Sequence, residues 1–265
     1  MTMQLLKTNI ILTIFLGGHL VFAQMSPTIQ SGRPGQGMGA GVVGSGTFQI
    51  QSGVDFIKTE AENNVDTLLF SNVIRAGITK DFEVSAVVNY QNDKIKLDNA
   101  SADQSGISGL QLGFRSRILP EADGWRPALA IQSRFKLDSV SNEYRPDRLA
   151  PVVRVSAVHD LSGAYSLTHN LAVSYSGTDA VPSYLWTSSL GYSLTDKTSI
   201  FIEAYGSIKD NYGSNYMDAG FDCLLSNDLK LDFSAGWGHN RGITETFASL
   251  GVSWRAKIFE PISFQ

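Results

Sequence analysis

The chain has 265 residues, with 43% hydrophobic and 17% charged side chains, so it suits one large domain and is too apolar in pattern for disorder. Its formal net charge of −4 excludes the broad positive field that attracts phosphates, and we expect no nucleic acid partner. The 25 glycines against 8 prolines favour strands joined by tight turns and disfavour long helices.

The first 23 residues have the pattern of a cleavable export signal. A positive charge at Lys7 precedes a mainly apolar run from Ile10 to Val21, and the small residue Ala23 offers a cleavage point. The run is shorter than the roughly 20 residues that a spanning helix needs. The residue after the expected cut is glutamine rather than cysteine, so no lipid anchor is indicated. We therefore predict that residues 1–23 are a signal peptide.

Residues 24–45 form a glycine-rich stretch before the first expected strand. The part from Ser31 to Gly46 contains too much glycine to form an element of its own. Two interpretations remain open at this stage. The stretch is either a flexible periplasmic lead or a plug that folds into the interior of the following domain.

From residue 46 to residue 255 nearly every segment alternates apolar and polar side chains, which sends successive side chains to opposite faces of a strand. In the third segment, for example, Phe82 and Val84 alternate with Glu83 and Ser85. The twelve segments are 47–58, 67–78, 82–91, 108–119, 126–137, 151–159, 166–176, 184–193, 199–207, 218–225, 229–237 and 246–255. The pattern predicts an all-β fold, a transmembrane antiparallel up-and-down β-barrel of about 12 strands.

The connections between these segments alternate in length, and residues 256–265 follow the last strand as a tail. The short turns are expected at 79–81, 120–124, 161–164, 195–197 and 226–228, and the longer polar loops include 92–105, 138–150 and 209–216. Short turns at one rim and long loops at the other are typical of a bacterial outer-membrane barrel, with both termini on the periplasmic side.

Alternation alone does not distinguish a membrane barrel from a soluble β-sandwich, because one face of each strand is apolar in both. The composition of the apolar face does distinguish them. That face contains no Lys, Arg, Asp or Glu, as lipid contact requires. Aromatic residues lie near the ends of the apolar stripes, which is typical of the two membrane interfaces. They include Phe48, Phe56, Phe82, Tyr90, Tyr175, Tyr192, Trp237 and Trp254. We expect a barrel in the outer membrane of Gram-negative bacteria, with outer-membrane lipid and the barrel-assembly machinery as partners.

If the polar phase points inward, its charged residues divide into two groups. The fourth to sixth strands supply a basic wall: Arg115, Arg117, Arg134, Lys136 and Arg154. The ninth to eleventh strands supply an acidic wall: Glu203, Asp218, Asp222 and Asp232, with Lys230 as the exception. The walls face each other across the lumen, which gives either a transverse field that orients dipolar solutes or charges that pair with lumenal neighbours.

Groups that could carry catalysis are sparse. His159 and His169 fall in apolar phases and His239 in a loop, so no histidine is placed as a base beside a nucleophile. The enzyme alternative is an outer-membrane phospholipase, a barrel with a Ser-His-Asn site on its outer surface, but no His-x-Ser pair shares a strand face. The single cysteine, Cys223, excludes an internal disulfide and lies in an apolar phase. We predict no enzyme, no metal site and no cofactor.

Four groups of residues carry a family resemblance: Arg33–Gly35 with Gly46–Gly53, Phe201–Gly206, Ala219–Asp232, and Gly251–Arg255. They resemble the outer-membrane family that is named for the meta-pathway of phenol degradation and often labelled simply as transporters. The resemblance covers most of the chain after the signal peptide and implies a barrel that takes up small hydrophobic compounds. Two differences are Gly32, where an acidic residue often precedes the Arg-Pro pair, and the ten residues after the final strand.

These patterns predict an outer-membrane channel or transporter for the passive passage of small solutes, including hydrophobic or aromatic ones. The alternative from another class is a structural or adhesive surface barrel whose long loops bind a partner. A lipid hydrolase is the third interpretation.

Overall fold

The computed structural model describes residues 26–97, 100–120 and 125–258. The expected signal peptide, residues 1–23, and the end of the expected tail, residues 259–265, lie outside this description. The described residues form twelve strands: β1 Thr47–Glu60, β2 Asn64–Gly77, β3 Phe82–Leu97, β4 Ala100–Leu119, β5 Ala128–Lys136, β6 Ala150–Ser162, β7 Tyr165–Ser174, β8 Ser183–Ser193, β9 Thr198–Lys209, β10 Tyr212–Ser226, β11 Leu229–Asn240 and β12 Ile243–Lys257. One turn of 3₁₀ helix, Asn142–Tyr144, lies between β5 and β6.

Each strand pairs with its neighbours in sequence, and the first strand pairs with the last. β1 and β12 run antiparallel from Thr47 opposite Lys257 to Glu60 opposite Thr244, which closes the sheet into a barrel. Closure matters in lipid because an open edge would leave backbone N–H and C=O groups without partners. The predicted transmembrane up-and-down barrel of 12 strands is confirmed. Over the three described ranges, no helix is long and apolar enough to cross a membrane.

The barrel has two rims that we name by the chain ends. The terminal rim contains the start of β1, the end of β12 and the connections 78–81, 163–164, 194–197 and 227–228. The distal rim contains the connections 61–63, 137–149, 175–182, 210–211 and 241–242. The four terminal connections named here have two to four residues, but the distal connections 61–63, 210–211 and 241–242 are equally short, so the predicted longer loops at this rim are found only at 137–149 and 175–182.

The prediction of polar loops at 92–105 and 209–216 is wrong, because strands occupy all the described residues of both ranges except the two-residue turn at 210–211. β3 and β4 pair as far as Leu97 and Ala100, and only Asp210–Asn211 separates β9 from β10. Polar side chains end the apolar alternation but do not end the ladder of backbone hydrogen bonds. Both turn residues have positive φ, 51° and 65°, which aspartate and asparagine tolerate better than most residues.

The two faces of the wall are opposite in character to those of a soluble protein. Large apolar side chains such as Phe56 and Trp237 are more than half exposed on the outside. Inward-facing polar side chains such as Gln49 and Glu83 are completely buried. This is the arrangement of a barrel whose outer surface meets hydrocarbon and whose interior is polar. The alternation therefore reports which side of the wall each residue occupies.

We predict that an arginine in place of Ile202 destabilises the barrel. Ile202 lies on the outer face in the middle of β9 and is 61% exposed. A cation at this depth must contact hydrocarbon, at an expected cost of about 2 to 4 kcal/mol in the free energy of unfolding. Urea titration of the barrel folded in lipid vesicles measures the change. Ile202→Ala is the matched control, and equal losses for both variants would contradict lipid contact at this position.

Candidate functional site

Residues 26–46, which we call the inner segment, lie inside the barrel. At the terminal rim Arg255 of β12 donates hydrogen bonds to the carbonyls of Pro27 at 2.9 Å and Thr28 at 3.1 Å. The N–H of Ile29 donates to the carbonyl of Asn227 in the turn between β10 and β11, at 2.8 Å. The segment therefore enters the lumen along the side where β10 to β12 meet β1.

Arg33 holds the inner segment against the wall at β11 and β12. Its Nε donates to Asp232 Oδ1 at 3.2 Å and its Nη2 to Ser249 Oγ at 2.6 Å. The guanidinium group lies flat on a part of the wall that has no side chains, because Gly53 and Gly251 are opposite each other in the β1–β12 ladder. A Cβ at either glycine would come within 2.3 Å of an Arg33 side-chain atom. Both glycines are therefore needed for this close approach.

From Arg33 the inner segment follows the wall to β9 and then to β7. The N–H groups of Gln36 and Gly37 donate to the two carboxyl oxygens of Glu203, at 2.6 and 2.7 Å. Asn170 forms two hydrogen bonds with the backbone of Met38, one to its N–H at 2.7 Å and one to its C=O at 2.9 Å. Such bidentate contacts fix both the position and the direction of the backbone.

Beyond Met38 the segment passes β5 and β4 and returns to β3. Ala40 packs in a small apolar cluster with Ala128 and Ala130 of β5. Arg115 of β4 donates to the carbonyl of Gly41 at 3.0 Å. The segment thus makes almost a complete circuit of the inner wall, from β11 back to the start of β1.

A buried ion pair closes this circuit. Arg75 of β2 binds Glu83 of β3 through two hydrogen bonds of 2.8 Å, and the two side chains are 2% and 1% exposed. Each partner also binds the inner segment: Arg75 donates to the carbonyls of Gln30 and Gly41, and Glu83 accepts from the N–H of Val43. The pair therefore joins two strands and both ends of the circuit.

The residues of the predicted basic wall have different partners. Arg115 and Arg154 donate to carbonyls of the inner segment, Arg154 to Gln36 at 3.1 Å. Arg117 pairs with Asp81 in the turn at the terminal rim. Lys136 donates to the carbonyl of Tyr144 near the distal rim, at 3.2 Å. The Nε of Arg134 is buried and has no hydrogen-bond partner in the described chain.

The residues of the predicted acidic wall also have different partners from one another. Glu203 and Asp232 bind the inner segment, as described above. Asp222 lies 3.7 Å from Lys230, whose Nζ also donates to the carbonyl of Arg33 at 2.8 Å. Asp218 lies opposite Glu203 in the β9–β10 ladder, yet within the described residues both of its buried carboxyl oxygens are without a hydrogen-bond partner.

Sequence reasoning missed several residues of the site. Arg75, Glu83 and Asp55 lie in the polar phases of β1 to β3, so the alternation that predicted the two walls could also have indicated them. Arg33 belongs to one of the motifs that carry the family resemblance, but the motif gave no partner for it, and Asn170 gave no signal. Their roles depend on the path of a glycine-rich backbone, which the sequence pattern does not predict.

The inner segment leaves open space in the lumen. A cavity of about 700 Å³ lies beside it at the terminal rim, between residues 28–31 and the ends of β7 to β11. A smaller cavity of about 170 Å³ lies on its distal side. A Cβ added at Gly39 would meet no atom within 4 Å, so this glycine faces empty space. The circuit therefore leaves open space beside its backbone.

At the distal rim the connection 137–149 folds against the interior. The hydroxyl of Tyr144 donates to the inward-facing carboxyl of Asp93 at 3.0 Å. The N–H of Ser141 donates to the carbonyl of Ile107 on β4, also at 3.0 Å. Burial and the hydrogen bond to Asp93 raise the pKa of Tyr144 to about 12, so this hydroxyl remains a donor at physiological pH. The connection is thus fixed to the mouth of the barrel.

The three histidines among the described residues lie away from the lumen. His159 and His169 are neighbours on the outer face, with ring centroids 6.5 Å apart. His239 accepts a hydrogen bond from the N–H of Gly242 in the turn at the distal rim. Among the described residues, no three His, Cys, Asp or Glu side chains converge as a metal site requires.

Residues 31–256 match the profile of a protein family described as "Putative MetA-pathway of phenol degradation". The chain belongs to this family. The match begins inside the inner segment and includes the whole barrel up to the last but one residue of β12, and the resemblance inferred from short motifs is confirmed. No curated protein matches the sequence.

Solved outer-membrane structures have the same fold. An outer membrane channel from Pseudomonas putida F1 has a TM-score of 0.66 at 10% identity, with 84% of this chain and 99% of that chain covered. The translocator domain of the autotransporter NalP from Neisseria meningitidis has a TM-score of 0.53 at 15% identity, covering 80% and 89%. The NanC porin has a TM-score of 0.53 at 9% identity, covering 77% and 98%. The chain shares the closed β-barrel fold of these outer-membrane proteins.

We predict that Glu83→Gln strongly destabilises the barrel, because it leaves the buried Arg75 without a counter-charge. Losing one partner of a buried ion pair costs about 3 to 5 kcal/mol in the free energy of unfolding. Urea titration with tryptophan fluorescence in lipid vesicles measures this. Glu60→Gln removes a carboxylate from the exposed pair with Lys58 and should have a much smaller effect. Similar losses in the free energy of unfolding for both variants would contradict the prediction, because the buried Arg75–Glu83 pair would then stabilise the barrel no more than the exposed pair does.

Proposed function

We propose that the chain is a passive channel of the outer membrane for small solutes, with the inner segment as its constriction. The closed wall, the polar interior and the empty space at Gly39 support this function. The solved channel from Pseudomonas putida has the same fold over 99% of its length. The family description names phenol degradation, which favours small aromatic or hydrophobic compounds as solutes.

The observation that carries the proposal is the circuit of the inner segment around the wall. Its backbone is bound in turn by Arg33 to Asp232, by Glu203, by Asn170 and by Arg115. A flexible lead would not form so many contacts at fixed positions, and a solid plug would leave no space at Gly39. The arrangement favours a fixed aperture that solutes pass without a large rearrangement.

The proposal includes an orientation in the membrane. Short turns face the periplasm in bacterial outer-membrane barrels, so the terminal rim is the periplasmic rim and the longer connection 137–149 lies outside the cell. Residues 1–23 then act as a cleaved export signal, and the assembly machinery inserts the barrel into outer-membrane lipid. The chain carries out no catalytic step in this proposal.

A cysteine in place of Gly39 tests the aperture directly. Because this position faces empty space, Gly39→Cys should fold normally and place a thiol in the path of ions. A cationic methanethiosulfonate reagent should then lower the single-channel conductance in a planar bilayer by about half or more, since it adds a bulky charge to the constriction. The variant is made in a Cys223→Ala background, which removes the native thiol.

Asn63→Cys is the control. This exposed residue lies in the turn between β1 and β2 at the distal rim, outside the circuit of the inner segment and outside the cavities described above. The reagent should therefore leave its conductance nearly unchanged. If mass spectrometry shows complete labelling of the Gly39→Cys variant while its conductance is unaltered, the proposed constriction is contradicted.

The second part of the proposal is a transverse field between the two charged walls. Arg134 has no partner for its buried Nε, and Arg154 binds only a backbone carbonyl among the described residues, so the positive charges of β5 and β6 are not paired with carboxylates. Such charges set ion selectivity when they line a pore.

We predict that Arg134→Gln with Arg154→Gln makes the channel more selective for cations. The permeability ratio of potassium to chloride, measured from the reversal potential across a salt gradient, should rise by about twofold or more. Lys197→Gln with Arg241→Gln removes two exposed charges from the rims and is the control. An unchanged ratio in the lumenal double variant, or an equal rise in both, would rule out the field.

A further inference from the structure

The cavity on the distal side of the inner segment combines an apolar surface with the carboxyl group of Glu245, which forms no ion pair among the described residues. It has a volume of about 170 Å³. Its floor is formed by Arg33, Gly35 and Gln36 of the inner segment. Its walls come from β1, β2, β9, β11 and β12: Asp55, Ile57, Leu69, Tyr205, Ser234, Glu245, Phe247 and Ser249. A solute that enters from the distal rim meets this cavity before the constriction.

One side of the cavity is apolar, which is unusual for the interior of this barrel. Ile57, Leu69 and Phe247 point inward on adjacent strands, although most inward-facing residues are polar. Tyr205 continues this surface and stacks on Tyr216 of β10, with ring centroids 5.1 Å apart and ring planes 8° from parallel. Flat apolar and aromatic surfaces of this kind bind hydrocarbon and ring groups.

The positive charge at the floor is already neutralised. Arg33 lies 3.2 Å from Asp232 and 3.9 Å from Asp55, and it also donates to Ser249 and to a backbone carbonyl. Two carboxylates therefore surround one guanidinium group. No basic charge of the floor remains to attract an anionic solute.

The carboxyl groups around Tyr205, by contrast, have no cationic partner. In the described chain Glu245 forms no ion pair within 4.0 Å, and Asp218 has neither an ion pair nor a hydrogen bond although only 6% of its surface is exposed. Asp218, Glu245 and Glu203 are all close enough to act electrostatically on Tyr205. Glu203 is bound by the N–H groups of the inner segment and not by a cation.

We propose that this cavity binds a small organic cation, an ammonium group on an apolar or aromatic body, before it passes the constriction. The proposal rests on the proposed channel function and names its preferred solute class. The ammonium group compensates the carboxyl group of Glu245, which lines the cavity, and lies against the faces of Tyr205 and Phe247. The apolar body packs on Ile57 and Leu69.

Other ligand classes fit the cavity less well. A neutral aromatic compound would leave the carboxyl group of Glu245 without a counter-charge in a partly desolvated site, and an anion would be repelled by it. A bare metal ion would gain no free energy from the apolar surface. Among the described residues, the carboxylates also do not converge on one point as metal ligands do. The site therefore selects for both positive charge and apolar area.

The experiment compares three probes of similar size and different charge. Isothermal titration calorimetry of the folded barrel in detergent uses benzylammonium chloride, benzyl alcohol and sodium benzoate at pH 7. Benzylammonium should bind at least about tenfold more tightly than the other two, as is usual when a buried charge gains its counter-charge. Equal affinities for benzylammonium and benzyl alcohol would overturn the proposal without any variant being needed.

Variants locate the site. Glu245→Gln should abolish the preference for benzylammonium, and Glu60→Gln, which removes an exposed carboxyl from the end of β1, should keep it. Heat-dependent electrophoretic mobility checks that each barrel is folded. Glu245→Gln should pass this check, because Glu245 is only partly buried at the cavity wall. A preference that persists in a folded variant would overturn the assignment to this cavity.

A liposome-swelling assay with glucose separates this proposal from the channel function. If the liposomes swell and all three probes bind equally, the proposed channel function stands and the proposed cation site is rejected. If benzylammonium binds selectively and the liposomes do not swell, the cation site stands and the channel function is rejected.

Discussion

The pairing of β1 with β12 is the interaction on which the rest of the structure depends. It turns a row of hairpins into a closed wall and so separates a hydrocarbon-facing surface from an interior. Once the wall is closed, every polar side chain of the inner face must find a partner inside a narrow lumen or remain buried at a cost in free energy. The glycine-rich segment that leads into β1 supplies many of those partners.

The inner segment acts through its backbone. Its N–H groups at Gln36 and Gly37 point to Glu203 on the acidic side, while its carbonyls at Gly39 and Gly41 point to Arg115 on the basic side. The peptide dipoles are therefore arranged in the direction that the opposed charges favour. Glycine is required where the wall and the backbone touch: a Cβ at Gly37 would lie 2.5 Å from a carboxyl oxygen of Glu203.

The alternation of side chains was enough to predict the closed barrel, because a period of two is a direct consequence of strand geometry. It placed Arg115 and Glu203 in the inward-facing phase but could not give their partners, since any residue supplies the backbone N–H and C=O groups that bind them. It also misjudged strand ends: at the β3–β4 hairpin the side chains become polar while the backbone ladder continues to Leu97 and Ala100. Apolar periodicity measures contact with lipid, whereas backbone pairing sets strand length.

Some buried charged side chains of the lumen are compensated by neighbouring groups, and others are not. The compensated ones stabilise the fold, whereas the others are available to bind a solute. Arg75 and Glu83 are satisfied by each other and by the inner segment, and Asp232 is paired with Arg33 through one of its two oxygens, so these charges stabilise the fold. Asp218 is not satisfied in this way, although it lies one strand from the inner segment. A buried group that the fold leaves unpaired carries a free-energy cost, and a ligand of opposite charge can recover that cost on binding. The selectivity of the lumen should therefore follow its unpaired charges rather than its total charge.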